Sequence, residues 1–389
     1  VNIKSIFEAV TIQELAKQLI IKEQKEERIT YDSVIPATGA QMRVYTAQIV
    51  NPVSTHYNVN YVFKGENINK EKLEEAINKV IERHESLRTS FENREGQIVQ
   101  IINEKAKIKV QELESENLTE FIRPYNLEKA PLLRVGYYED TVVVDIHHII
   151  VDGESMPVFF KEINELYMDR ELKEPVQYGE FAVTDTYTED DEKYWLNIFS
   201  EEQEALELPT DYERAEVQSF KGTNKFVRIE KELERNILNK CKQLGITPYA
   251  YYMAGLNILL SKYSGNEDIC VGTPTSGRSS KFLNTIGMFV NTLPLLIDCK
   301  NRDILGFMEH VSDLVYDVMR YNYYPFLQLL SHPALFGSYK AMLNYLLKWF
   351  HTYVVLYWLK CSWPKDTSTY QYLFPDSPHL LIFLNNSFP

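Results

Sequence analysis

The chain is poor in cysteine, in positive charge and in long apolar runs. Its four cysteines, Cys241, Cys270, Cys299 and Cys361, stand far apart in 389 residues and form no C-x-x-C pair. That excludes a zinc framework and a disulfide scaffold, and a reducing cytoplasm is the expected compartment. With 41 Lys and Arg against 55 Asp and Glu, the net charge is −14. Such a field repels a phosphate backbone and an anionic membrane surface, so neither nucleic acid nor membrane is an expected partner. Residues 1–7 show no basic region leading into a long apolar run, which excludes a secretory signal, and the missing initiator Met is expected of a fragment. No cluster of metal ligands is visible. Residues 272–278 lack the Gly-Lys-Ser/Thr ending of a phosphate-binding loop, so no nucleotide is implied.

What is present is the composition of a folded protein, 44% hydrophobic and 25% charged, in a chain long enough for two domains or a two-lobed one. Residues 1–20 hold a short amphipathic helix whose start is marked by Thr11 and Glu14 in a capping-box spacing. The charged stretch 22–28 reads as a linker or a solvated helix end. From Tyr31 onward strand and helix patterns alternate. A strand is expected near 57–64, a helix near 70–84, strands at 98–102 and 142–147, and a helix over 156–168. A second such region from about 223 has helices near 232–244 and 249–263 and a strand at 269–272. This order predicts a mixed α/β layer fold, and no repeat of solenoid period is visible.

The last 59 residues differ in kind. Residues 331–389 contain no Glu and no Arg, only Asp366 and Asp376 as acids, and three of the four tryptophans. A step that sharp suggests a break in reading frame after about Phe326 and a tail not selected to pack with what precedes it. A membrane anchor around 341–363 is the alternative, but Lys348, His351 and Lys360 interrupt it and leave no run of about 18–20 apolar residues.

The most informative segment is Asp145-Ile146-His147-His148-Ile149-Ile150-Val151-Asp152-Gly153. A β-branched strand ends on two histidines, and an Asp-Gly pair follows. Side chains alternate faces along a strand, so His147 and His148 are expected to point opposite ways, one toward a cleft and one inward.

These residues resemble the HHxxxDG motif of the condensation domains of nonribosomal peptide synthetases. Other segments follow in that family's order. Ala40-Gln41-Met42-Arg43 resembles the first motif, and Arg83-His84-Glu85-Ser86-Leu87-Arg88-Thr89-Ser90-Phe91 the second. Tyr178-Gly179-Glu180-Phe181-Ala182-Val183 resembles the fourth, and Ile286-Gly287-Met288-Phe289-Val290-Asn291-Thr292-Leu293 the fifth. Asn322-Tyr323-Tyr324-Pro325-Phe326 resembles the start of the sixth. The family's later Arg-Asn-Pro core has no counterpart. Residues 6–19 resemble the last helix of a peptidyl carrier domain.

The resemblance implies an α/β fold of two chloramphenicol-acetyltransferase-like lobes in a V, the second incomplete. The implied layout is a carrier helix at 1–20, a linker at 21–30, an N-lobe at 31–180, a truncated C-lobe at 181–330 and an unmatched tail at 331–389. It further implies aminolysis of a thioester, with both substrates carried on phosphopantetheine arms, no cofactor bound directly and no metal. The implied partners are donor and acceptor peptidyl carrier domains and an adjacent adenylation domain.

By the family's pattern His148 is the catalytic residue. A group of ordinary pKa near 6.5 can take the proton at neutral pH, or its role can be chiefly to orient the amine. His147, Asp152, Gly153 and Arg278 are expected to be structural members of the site. Arg278 is expected to pair with Asp152 and fix the turn after the histidines. Gly153 would allow close backbone approach at a helix start, where amide N–H groups can stabilise an oxyanion. Asn291 and Thr292 are candidate tunnel-lining groups, on a segment 286–293 that otherwise reads as a buried strand entered through a tight turn. Arg83, His84, Glu85 and Arg88, at a helix end, read as solvated groups or ordinary salt bridges. Three alternatives stay open at this point: an epimerising relative with the same double histidine, an inactive fragment, and a docking module.

Overall fold

The computed structural model describes residues 29–65, 67–114, 118, 120–184, 187–200, 206, 208–209, 211–212, 229–300, 302–324 and 328–329, and the backbone of 380–383. The chain divides into two units, 1–31 and 32–389. Of the first unit only 29–31 are described, without a regular element. The carrier-like helix and residues 21–28 of the expected linker lie outside the described residues, as does the tail apart from 380–383.

In the second unit the described strands form three sheets. One is antiparallel, in the order β1 (Val34–Pro36), β4 (Gln97–Ile102), β3 (Thr89–Arg94). The largest has the order β10 (Leu380–Phe383), β2 (Asn58–Gly65), β7 (Thr141–His147), β6 (Leu133–Tyr138), β5 (Gln111–Glu112), and only β5 and β6 run parallel. The third is the hairpin-like pair β8 (Asp268–Thr275) and β9 (Asn291–Asp298). The α/β class is therefore as expected.

β7 lies between β2 and β6, and its residues from Val142 to His147 are all buried. Both of its faces are covered, as the apolar run from Val142 to Val144 reflects, while Asp145 and His147 are buried polar residues within it. Val142, Val144 and Ile146 join a core with Leu73, Ile77, Val80 and Ile81 of helix α2 (Lys70–Arg83) and Met156, Phe159 and Phe160 of α3 (Ser155–Tyr167). On the other face Val143 packs with Leu118 and Phe121. α2 is bounded as its composition dictates: Asn69 accepts the Lys72 N–H, Glu71 sits in the first turn and Arg83 in the last, each favourable to the helix dipole.

A second core joins α5 (Glu189–Ile198), α7 (Pro248–Ser264), β8, β9 and α8 (Ile304–Arg320) through Trp195, Met253, Ile269, Leu295 and Val311, among others. α6 (Lys231–Leu244) contributes Ile237 and Cys241 to a smaller cluster with Ile246. α7 starts on a Thr247 cap with Pro248 and stops at Gly265 in the left-handed region, the expected asymmetry of helix ends.

Two differences from expectation concern the site. Residues 286–290 are not a strand; β9 begins only at Asn291. The backbone of this buried segment is satisfied by side chains instead of a ladder. Ser86 Oγ donates to the Ile286 carbonyl at 2.8 Å, the Gly287 N–H donates to Ser155 Oγ at 3.0 Å, Tyr178 Oη donates to the Met288 carbonyl at 2.7 Å, and the Phe289 N–H donates to Asp152 Oδ2 at 3.1 Å. The segment carries Ile286 and Met288 into the first core, while Phe289 packs with Phe282 and with Tyr178 and Phe181 of helix α4 (Tyr178–Thr184). The second difference is helix α1 (Gly39–Val50), of which the sequence motifs mark only the stretch 40–43.

Candidate active site

The histidines stand where β7 runs out. The His147 N–H donates to the Leu132 carbonyl at 3.0 Å and the His148 N–H to the Tyr57 carbonyl at 2.7 Å, so the residues leading into β6 and β2 hold the terminus. The His147 ring is fully buried, edge-on to Tyr125 with ring centroids 5.7 Å apart. Burial, reinforced by His148 and Arg134, pushes its pKa down to about 3, since an enclosed imidazolium loses its hydration. His148, the first residue past the strand, keeps part of its surface exposed. Its Nδ1 makes no hydrogen bond of regular geometry among the described residues.

The His148 pKa is also lowered. Burial is the largest cause and Arg43 adds to it, while the backbone of His148 and Val151 and the charge of Asp152 pull the other way. The ring is thus neutral at neutral pH and able to accept a proton, although as a weaker base than an ordinary histidine.

Beyond the histidines the chain turns and starts α3 at Ser155. Asp152 Oδ1 accepts from the Ser155 N–H at 2.8 Å, Ser155 Oγ at 2.8 Å, the Glu154 N–H at 3.1 Å and Arg278 Nη2 at 2.6 Å. Arg278 also donates through Nη1 to the Phe282 carbonyl at 2.8 Å and the Thr285 carbonyl at 2.6 Å, and its guanidinium lies 4.0 Å from the Phe289 ring centre. One buried ion pair therefore clamps the histidine turn to the segment 277–289. The clamp needs two close approaches. Gly277 has φ +63°, and a Cβ there would meet the Phe289 carbonyl oxygen at 2.2 Å. A Cβ on Gly287 would meet the Tyr178 ring at 2.0 Å, so neither position accepts a side chain without movement.

Gly153 is exposed in the turn, with φ outside the left-handed region. The oxyanion reading of this turn needs correction for two amides, because those of Glu154 and Ser155 are taken by Asp152. Thr292 is buried and accepts a hydrogen bond from Arg43 Nη1. Asn291 donates to the Asn322 carbonyl at 2.9 Å and the Tyr324 carbonyl at 3.1 Å. It lines a cleft of about 350 Å³, open solvent included, with Thr38, Gly39, Phe289 and Tyr323. His84 is sealed, with Nε2 2.9 Å from Glu162.

Sequence reasoning left out Gln48 and Ser155 and gave Arg43 no role beyond its motif. A signal existed for α1 in the capping box of Thr38 and Gln41, both halves of which are formed. Nothing in the chain pointed to Gln48. Among the described residues no group of three or more acidic, Cys or His side chains could hold a metal ion, and no helix is long and apolar enough to cross a membrane.

The model of the condensation-domain family matches residues 31–346. The chain belongs to that family. The condensation domain is 36% identical over 360 residues to bacitracin synthase 2 of Bacillus licheniformis, covering 85% of this chain and 14% of that protein. It is 36% identical over 352 residues to gramicidin S synthase 2 of Brevibacillus brevis, covering 84% of this chain and 8% of that one. It therefore spans a small part of these curated relatives' length. Among solved structures it resembles the condensation domain of a monacolin K polyketide synthase, with TM-score 0.65 and 20% identity over 78% of this chain and 76% of the other. It also resembles a four-domain nonribosomal peptide synthetase bound to AMP and glycine, with TM-score 0.67 and 21% identity over 80% of this chain and 26% of the other. Both likenesses are of fold.

Proposed function

We propose that the chain forms peptide bonds, by aminolysis of a donor acyl or peptidyl thioester. The acceptor's α-amine attacks the thioester carbonyl, the C–N bond forms, the C–S bond breaks and the donor's phosphopantetheine thiol leaves. The attacking nitrogen must shed a proton, and His148 receives it or holds the amine in line for attack. The observation that carries this reading is the contrast at the end of β7. His147 is sealed and neutral, while His148 is neutral, partly accessible and fixed through its backbone to β2's approach.

In this reading Asp152 and Arg278 hold the turn and take no proton, and Thr292 with Arg43 borders the reaction chamber. Donor and acceptor carrier domains deliver both substrates, and an adenylation domain loads the acceptor. Residues 1–20 are the end of the upstream carrier and 31–180 and 181–330 the two lobes; of the expected tail 331–389, the family match takes in residues up to 346 and 380–383 pair with β2 of the first lobe. Replacing His148 by Ala tests the reading directly. Transfer from a loaded donor carrier to an aminoacyl acceptor carrier is expected to be abolished with the circular dichroism spectrum unchanged; retained turnover removes His148 from the mechanism.

A further inference from the structure

Helix α1 presents buried polar residues at Gln41 and Gln48, and both reach the histidine turn. Gln41 Nε2 lies 2.9 Å from Gln100 Oε1 and 3.4 Å from the Ile149 carbonyl. Gln48 is 3% exposed, and its Oε1 lies 3.4 Å from His147 Nε2. Its Nε2 donates to the Pro52 carbonyl at 3.3 Å and the Ser54 carbonyl at 3.1 Å. A flipped amide would set oxygen against those two carbonyls, so the bonding fixes Oε1 toward the imidazole. On the far side of the ring the Ile149 N–H donates to His147 Nδ1 at 3.2 Å. A neutral imidazole that accepts at Nδ1 carries its proton on Nε2, and Gln48 Oε1 is the acceptor standing there.

From this geometry we infer that Gln48 is a positioning residue for His148, acting through the tautomer of His147. Gln48 selects the Nε2–H form, and that form leaves Nδ1 free to bind the Ile149 amide on the residue directly after His148. The same side chain braces the carbonyls of Pro52 and Ser54, in the loop leading to Tyr57, whose own carbonyl binds the His148 N–H. His148 is thereby held from both flanks by one glutamine that never touches it. The inference rests on the proposed role of His148, but its first test does not.

The test uses the full chain labelled with ¹⁵N-histidine. Imidazole nitrogen shifts are expected to report His147 as neutral Nε2–H at pH 7. In Gln48→Met, of similar shape with neither donor nor acceptor, that tautomer preference is lost and the His148 resonances shift. Gln48→Glu, whose buried carboxyl is protonated, keeps an acceptor for the imidazole and an O–H for the Pro52 or Ser54 carbonyl, and keeps the tautomer. In carrier-to-carrier transfer Gln48→Met loses about ten-fold in kcat with KM unchanged, and Gln48→Glu recovers most of the loss. A wild-type His147 in the Nδ1–H form overturns the inference, as does a Gln48→Met chain with unmoved His148 resonances or a KM effect alone. Should Gln48→Met not fold, Gln48→Glu decides: loss of the Nε2–H tautomer there overturns the assignment. A wild-type chain with no transfer overturns the proposed reaction, while the tautomer and His148 shifts still decide the role of Gln48.

Discussion

Asp152 and Arg278 are 126 positions apart in the chain and 2.6 Å apart in the fold, with side chains 1% and 0% exposed. Breaking one side of a buried pair leaves an uncompensated charge, which costs about 3–5 kcal/mol. Arg278→Ala is expected to lower the unfolding free energy by about that amount in urea titrations and to reduce folded yield more than it changes substrate choice. Arg278→Lys will recover little, because a point charge cannot serve Asp152 and the carbonyls of Phe282 and Thr285 together. A soluble, fully stable Arg278→Ala chain that is merely slow would show that the pair does not hold the turn.

Gly287 offers a sharper geometric test. Its missing Cβ is replaced by the Tyr178 ring, which is pinned because Tyr178 Oη donates to the Met288 carbonyl and lies 3.0 Å from Thr38 Oγ1. Gly287→Ala is expected to destabilise by about 1–3 kcal/mol through overpacking. In a Tyr178→Leu background the same change should cost much less, giving a coupling of about 0.5–3 kcal/mol. Additive costs in the double-mutant cycle would place the strain somewhere other than this contact.

Two neighbours on one face of β7 titrate against each other. Asp145 is fully buried, and its pKa is raised to about 6. Burial outweighs Arg134, 2.8 Å away, and the bonds from Asn58. Its folded pKa lies above the unfolded value, so it favours the fold when protonated, and this contribution fades as pH rises from about 4 to about 6. His147, lowered to about 3, has the opposite sign. Its contribution is full above about 6.5 and fades as pH falls toward 3. Each slope approaches about 1.4 kcal/mol per pH unit where only one state is protonated, and between about pH 4 and 6 they largely cancel. Asp145→Asn should therefore uncover the histidine and make the chain more acid-labile over that range, seen as urea midpoints falling more steeply than in the wild type. Parallel curves for the two chains would mean that one of the shifts is absent.

How far the fold is legible in the sequence depends on where polar groups sit. Strands β2 and β7 and helices α2, α3, α6 and α7 were legible within a residue or two, because their apolar residues keep the period of the element. Helix α1 hid itself. Its buried positions Gln41, Val44, Tyr45 and Gln48 have helical spacing, but two of the four are amides. β6 was obscured likewise, since Arg134 interrupts it and finds Asp145 across the ladder. Residues 286–290 looked like a strand because buried irregular backbone is rare, and the Ser86, Asp152, Ser155 and Tyr178 side chains that satisfy it come from distant sequence. Local pattern placed His148, but the sealing of His147 and the hold of Gln48 on it are long-range contacts that leave no periodic trace.

The neutral state of His148 makes a prediction about rate. A proton acceptor must be unprotonated in the free enzyme, so on the proposed mechanism the acid limb of kcat/KM follows the His148 pKa. Burial sets that pKa below the ordinary histidine value, with Arg43 pushing further down and Asp152 partly restoring it. The acid limb for transfer between carriers is then expected below about pH 6.5. Arg43→Met removes one of the two depressing influences and also the bond to Thr292, so it should move the limb upward toward about 6.5 while burial keeps it from rising above. Proton transfer and orientation of the amine through its N–H both need the neutral ring, so either role produces this limb. An acid limb that does not move with Arg43 would show that the rate does not depend on the protonation state of His148, which substitution of His148 alone does not test.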